Sequence, residues 1–304
     1  MKLSLFDLHC DTAYEMLRQK QVFSENSLAV SLKKANSFDR YVQIMAFWTD
    51  SVLSDENGWN AYFRMYEHLL HDDAIKNGSI TIAKKAPEHF PSIFLGIEDA
   101  RILCNRLERV DQLWEMGIRF LTPLWKGTTS IGGSHDTEQG LTAFGKVAIR
   151  HALDKGMILD ISHASEQSSY EIFELGAKFH RPIIATHSNA YEICSASRNL
   201  RRWQVQSVLQ CGGIVGLNLY PPFLSEDGDA HMEDILSHIE YFLELGFEKN
   251  LCLGCDMDGA TLPPEISNVS ELSKLAELLL NRNYTEELVK NIFFENAYQF
   301  SKKI

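Results

Sequence analysis

Apolar residues gather along this chain into eight short blocks, and between the blocks they recur every three or four positions. The blocks are Leu5–Asp11, Val42–Trp48, Ile93–Glu98, Ile118–Leu124, Met157–His163, Pro182–His187, Gly213–Leu219 and Leu251–Asp256. Each is short and continuously apolar, as a strand covered on both faces must be. The intervening periodicity predicts helices over 13–20, 59–76, 103–116, 143–155, 166–179 (with Ser165 as N-cap), 202–211 and 231–245. Two more, over 270–282 and 285–301, finish the chain. Residues 21–40 read as polar and irregular. Residues 126–142, rich in Gly, Ser and Thr, are too long for an ordinary connection and read as a functional loop.

Eight buried strands alternating with helices predict a (β/α)8 TIM barrel with extra C-terminal helices, forming one domain over 1–304. An open dinucleotide-binding sheet has no support, because no G-x-G-x-x-G follows a strand. The net charge of −12, from 29 basic and 41 acidic residues, argues against nucleic-acid and anionic-membrane partners. No stretch is long and apolar enough to span a bilayer, and the first residues lack a secretory pattern, so a cytoplasmic protein is expected. The six cysteines lie mostly in apolar segments and read as free thiols. Cys252-x-x-Cys255 sits in a predicted strand without a second pair, which supports neither a zinc knuckle nor a redox motif.

What changes the picture is where the ionisable residues fall. His9 and Asp11 end the first predicted strand, Glu98 the third, His163 the fifth, His187 the sixth and Asp256 the eighth. These are the C-terminal ends, the face on which barrels build active sites. Any one of them has an ordinary explanation as a strand-end hydrogen bond or a helix cap. Three imidazoles and three carboxylates converging on one mouth do not, since buried carboxylates need a metal, a partner or a proton. The ligand count fits two metals sharing a carboxylate better than one.

The segments Asp7-Leu8-His9-Cys10-Asp11, Gly96-Ile97-Glu98, Gly140-Leu141-Thr142-Ala143-Phe144-Gly145 and Asp160-Ile161-Ser162-His163 come in a telling order. His187-Ser188-Asn189-Ala190, Ser197-Arg198-Asn199, Gly254-Cys255-Asp256-Met257-Asp258-Gly259 and Asn283-Tyr284-Thr285-Glu286-Glu287 follow them. In order and spacing the chain resembles the membrane (renal) dipeptidases, peptidase family M19, among the amidohydrolase-type barrels. The resemblance implies a binuclear Zn2+ centre, with His9, Asp11 and Glu98 on one ion, His163 and His187 on the other, and Glu98 bridging. It further implies a metal-bridging hydroxide as nucleophile, Asp256 as general base and then acid, and Arg198 as the ligand of the substrate carboxylate. Tyr220 matches a wall of the substrate pocket. A planar, permanently charged guanidinium suits a carboxylate. The implied substrate is a dipeptide, including ones with a C-terminal D-residue, and relatives often form homodimers.

There is one departure. Trp125 stands where well-known members carry a histidine that contacts the substrate carbonyl. An indole N–H donates a hydrogen bond but carries no charge, so the metals, Lys126 or His135 would have to stabilise the oxyanion. Asp99 and Ala100 also differ from the family pattern and are expected to narrow the pocket, while Asp258 is expected to support a loop or the metal shell. Two other functions stay open at this point. One is a related binuclear amidohydrolase acting on an N-acyl amino acid, a lactam or a modified peptide. The other is a metal-binding scaffold without catalysis.

Overall fold

A computed structural model describes residues 2–304. Its strands, in chain order, are β1 (Leu5–Cys10), β2 (Tyr41–Phe47), β3 (Thr81–Ile82), β4 (Ser92–Glu98) and β5 (Ile118–Thr122). Then come β6 (Ile158–Asp160), β7 (Ile183–Ile184), β8 (Val215–Leu217) and β9 (Leu251–Leu253). Eight of them pair parallel in the order β7-β6-β5-β4-β2-β1-β9-β8. A single bridge from Ala185 to Val215 brings the two ends together into a nearly closed barrel with helices around it. The sequence reading missed only β3, a two-residue strand beside the start of β4 that has no apolar block to announce it.

Alternation along the strands sorts the apolar residues into two cores. Phe6, Leu8, Val42, Ile44, Phe94, Phe120, Ile158, Ile184 and Cys252 fill the barrel interior. Their neighbours, among them Met45, Leu95, Leu121, Leu159 and Leu253, face the helices. Phe294, Ala297 and Phe300 join the interior cluster, with Phe294 lying 6.4 Å from Phe6. The C-terminal segment thus plugs the end of the barrel where the strands begin, and leaves the opposite end for polar chemistry. The predicted helix over 285–301 is broken here: helix Glu286–Lys290 passes through a π-type turn, Asn291–Glu295, into helix Asn296–Ser301. The wider turn lets adjacent Phe293 and Phe294 enter different cores. Each buried ring is worth about 1.5–3 kcal/mol of transfer free energy.

Helices Ala143–Lys155 and Glu166–Phe179 have the predicted bounds, and Ser165 Oγ caps the second by accepting from Ser168 N at 2.9 Å. The predicted helix 59–76 is divided into Asp55–Leu70 and Asp73–Lys76, because Asp72 caps the second piece through Ala74 N at 2.8 Å. Only the last part of the predicted helix 103–116 is α-helical, over Glu108–Glu115, after a 3-10 turn at Ala100–Leu103.

Candidate metal centre

All the barrel strands but β4 end earlier than their apolar blocks do, and the early endings build the site. β5 stops at Thr122 because Pro123 has no N–H for the ladder. β6 and β7 stop because Asp160, fully buried, takes the main-chain N–H groups of Ser162 at 2.8 Å and Thr186 at 2.9 Å. Asp7 does the same on the other side, accepting from His9 N at 3.2 Å and Cys255 N at 2.9 Å. Between Asp7 and Cys10 the register of β1 against β2 slips, Leu8 and His9 together opposing Ile44 alone. That bulge matters. Phe6 and Leu8 face the interior, so strict alternation would send His9 toward the helices; the bulge turns it inward. Asp11 then lies just past the strand at the start of helix Thr12–Gln19, and its carboxylate makes no cap hydrogen bond.

Glu98, the last residue of β4, sits at the centre. Its Oε1 lies 2.9 Å from His163 Nε2 and 3.4 Å from His187 Nε2, and its Oε2 lies 3.7 Å from His9 Nε2. Asp11 Oδ2 and Asp256 Oδ1 are 3.5 and 3.9 Å from the same His9 nitrogen. Three overlapping groups have donor atoms mutually within 4.8 Å: His9, Asp11 and Glu98; Glu98, His163 and His187; His9, His187 and Asp256. His163, His187 and Asp256 stand beyond the strands rather than on them, three residues past the ends of β6, β7 and β9, with His163 and Asp256 at positive φ.

The donor set fits divalent metal. His9 Nε2, Asp11 Oδ1 and Glu98 Oε1 are buried without a hydrogen-bond partner, which is costly unless a cation satisfies them. Burial pushes the Asp11 carboxyl up to about 8, with the Glu98 charge adding to the effect; a cation between them removes that penalty. Mixed imidazole and carboxylate ligands suit zinc and its neighbours.

The outer contacts orient the imidazoles. His163 Nδ1 donates to the main-chain carbonyl of Trp125 at 3.0 Å, which leaves its Nε2 lone pair facing Glu98. Thr186 spends its hydroxyl proton on Asp160, so its oxygen accepts from His187 Nδ1 at 2.7 Å. Asp160 also accepts from Thr122 Oγ1 at 2.6 Å. Burial, and then His9, hold the His187 imidazole well below its usual pKa, in the neutral form that ligates. Asp160 and Thr186 were not read as site residues; the available signal was a carboxylate shortly before a strand-end histidine, as in Asp7 before His9.

Asp256 Oδ2 accepts from Asn218 Nδ2 at 2.9 Å, and Asn218 is in turn held by Asn189. Asn218 is a third residue the sequence did not flag. Gly259 closes over the pair: a Cβ there would stand 2.0 Å from Asp11 Oδ2 and 2.7 Å from Asp256 Oδ1. Asp258 turns away from the candidate ligands, accepting from Thr12 Oγ1 at 2.6 Å and Ala29 N at 2.7 Å, so it supports a loop. Asp99 does not narrow the pocket either. Its φ of 73° turns it outward, where it pairs with Arg101 Nε at 2.9 Å.

Arg198 is buried. It donates to Ser188 Oγ and to the His187 carbonyl, both at 3.0 Å, and leaves its Nε unpartnered. It is not a surface ion pair. Burial holds its pKa down at about 10, where it remains cationic at neutral pH. Tyr220 and Phe223, ring centroids 4.8 Å apart, wall a cavity of about 700 Å³ that reaches His163 and Asp256. Trp125 borders that cavity and stacks edge-on against Trp48. His135, offered by the sequence as one possible oxyanion stabiliser, is half-buried. Its Nδ1 is 3.0 Å from Ser197 Oγ and its main-chain N donates to the His163 carbonyl at 2.8 Å. The 126–142 loop carrying it folds back on helix Glu166–Phe179 through the Ser134–Ala164 bridge and Ser168.

The family model described as membrane dipeptidase, peptidase family M19, matches residues 1–304. The chain belongs to that family. It is accordingly a hydrolase of the metallo-dipeptidase kind. A Klebsiella pneumoniae protein described as an uncharacterized protein in the pqqA 5′ region is 32% identical over 200 residues, covering 62% of this chain and 73% of its own. A crystal structure of dipeptidase AC, a metallopeptidase of family M19, superposes with a TM-score of 0.92 at 25% identity, covering 100% of this chain and 99% of that one. A Rhodobacter sphaeroides metallopeptidase, solved with a phosphinate mimic of the dipeptide L-Ala-D-Ala, shares the fold. Its TM-score is 0.91 at 24% identity, over 100% and 99% of the two chains. No helix of the described residues is long and apolar enough to cross a membrane.

Proposed function

We propose that this family member cleaves dipeptides, including those with a C-terminal D-residue, at a binuclear zinc centre held by His9, Asp11, Glu98, His163 and His187. The observation that carries it is the convergence of buried, unpartnered donor atoms from His9, Asp11 and Glu98 at the barrel mouth, with His163 and His187 oriented toward the same carboxylate. Two divalent cations bound there supply Lewis acidity and make water a nucleophile near neutral pH.

The chain's own residues do the rest. Arg198, cationic and stripped of water, receives the substrate's carboxylate and sets the register of the peptide across the mouth. Asp256 takes a proton from the attacking water and delivers it to the departing amine nitrogen, as base and then acid. Asn218 holds one oxygen of Asp256 and leaves the other turned to the centre. Tyr220 and Phe223 wall the peptide from solvent. The Rhodobacter structure liganded with a phosphinate mimic of a dipeptide supports the choice of a dipeptide substrate by likeness of fold. One barrel sheet built from strands along the whole chain supports the reading of one catalytic domain over 1–304.

The test is metal content and hydrolysis of an L-x-L and L-x-D dipeptide panel, on wild type and Asp256→Asn. Two equivalents of metal, with turnover lost in a variant that keeps its metal, is the expected result. Two metals without cleavage of any dipeptide would move the activity to a modified substrate, and no stoichiometric metal would overturn the centre itself.

A further inference from the structure

Beside the metal centre lies a side pocket of about 340 Å³. Asp11, Glu98, His163 and Asp256 form its inner end, and Tyr14, Trp48 and Trp125 its walls. The indoles of Trp48 and Trp125 meet edge to face with centroids 5.0 Å apart, and Tyr14 meets Trp48 the same way at 4.9 Å. Trp48 Nε1 is buried and unpartnered.

Two carboxylates beyond Asp11, Glu98, Asp256 and Asp258 reach this pocket, Glu15 and Asp50. They are not equivalent. Glu15 is neutralised by Arg18, whose Nη2 lies 2.6 Å away, and also takes Gln19. Asp50 has no cationic partner among the described residues; its carboxylate accepts only Val52 N, at 3.0 Å. Its loop is fixed from behind. The buried Arg101 guanidinium donates to the carbonyls of Thr49 at 3.1 Å, Asp50 at 2.8 Å and Leu53 at 2.9 Å, while Asp99 holds its Nε. An unpaired carboxylate is thereby set on a rigid support at the rim of an aromatic pocket.

Arg198 borders a different cavity, together with His135 and Ser197. A dipeptide whose carboxylate sits at Arg198 and whose scissile bond lies over the metals has its N-terminal residue left to meet the Trp48 pocket. We propose that this pocket selects a cationic side chain, lysine or arginine, on the N-terminal residue, with the two indoles packing against the stem and cation and Asp50 pairing the head group. The inference rests on the dipeptidase function proposed above and names its substrate class. Trp125, where the sequence departs from the family pattern, becomes a wall of that specificity pocket.

The physics is twofold. Indole faces attract cations, more strongly where water is excluded. A neutral side chain of equal length would also strip water from Asp50 and return nothing, so the pocket selects against it. The α-ammonium group is common to all unmodified dipeptides and cannot account for a preference among them.

The experiment compares kcat/KM for Lys-Ala, Arg-Ala and norleucyl-Ala, with L- and D-Ala, on metal-replete wild type, Asp50→Asn and Trp48→Leu. Norleucine matches the lysine stem without its charge. The expected wild-type ratio of Lys to norleucine substrates is about tenfold, collapsing toward one in both variants. Dissociation constants for the same substrates, measured by calorimetry on the Asp256→Asn protein, should show the same ratio without turnover. Dipeptide cleavage with no cationic preference overturns the pocket assignment and leaves the dipeptidase function standing. Equal losses on all substrates in Asp50→Asn also overturn it, since Asp50 would then be reading the shared ammonium group or holding the fold. Failure to cleave any dipeptide overturns both proposals.

Discussion

Thr186 would ligate no metal, yet replacing it with valine should loosen the metal centre. Its hydroxyl makes two buried hydrogen bonds, donating to Asp160 and accepting from His187 Nδ1 at 2.7 Å. Valine keeps the branched shape and removes both. At about 1 kcal/mol net for each bond, the metal-free protein should lose about 2 kcal/mol of stability. The larger consequence is chemical. Without an acceptor at Nδ1, the His187 imidazole is no longer held with its proton there, and the alternative tautomer places a proton on Nε2, the atom that faces Glu98. Removing such an outer partner typically costs 10–100-fold in metal affinity, and a rise in dissociation constant of about that size is expected here. Chelator competition on the metal-free variant measures the affinity, and urea unfolding the stability. Thr186→Ser restores the hydroxyl and should restore both. A valine variant that loses the stability but binds metal like wild type would refute the tautomer mechanism.

Three further outcomes are expected. Gly259→Ala forces a methyl group to within 2.0 Å of Asp11 Oδ2 and 2.7 Å of Asp256 Oδ1. It should weaken metal binding by roughly tenfold or more and depress turnover, and unchanged metal affinity would show the turn to be pliable. Arg198→Lys keeps the charge and loses the planar fork, so KM for dipeptides should rise by about tenfold with a smaller change in kcat; an unaltered KM would remove Arg198 from carboxylate binding. His238, buried, accepts from Ala190 N at 3.2 Å and donates to the Leu224 carbonyl at 3.1 Å, and burial lowers its pKa from 6.5 to about 4. The unfolded chain therefore takes the proton first, and stability should fall as pH drops from 6.5 toward 4. His238→Gln can keep both hydrogen-bond roles without titrating. It should flatten that limb of the urea-unfolding profile by up to about 3 kcal/mol, and an unchanged slope would exclude His238 as its source.

Sequence alone determined the eight strands, the barrel and the chemical identity of the six rim residues. Short apolar blocks, amphipathic periods and an ionisable residue at the end of a block are all local signals. Local patterning also set helices Ala143–Lys155 and Glu166–Phe179 to the residue, since caps such as Ser165 are local chemistry. What required tertiary structure was how those residues face one another. The bulge that turns His9 inward depends on Asp7 reaching the backbone of Cys255, 248 residues away in the chain. The early ends of β6 and β7 depend on Asp160 taking N–H groups from two neighbouring segments. Asn218 behind Asp256, Thr186 behind His187 and the Trp125 carbonyl behind His163 are ordinary polar or main-chain groups until the barrel brings them into contact. Asp50 is distinguished from other carboxylates only by its setting: a pocket it shares with Tyr14, Trp48 and Trp125 and a loop clamped by Arg101. Periodicity and composition specify which face a residue occupies. The geometry of the candidate site arises from contacts between segments far apart in sequence, and closing the barrel is what makes those contacts.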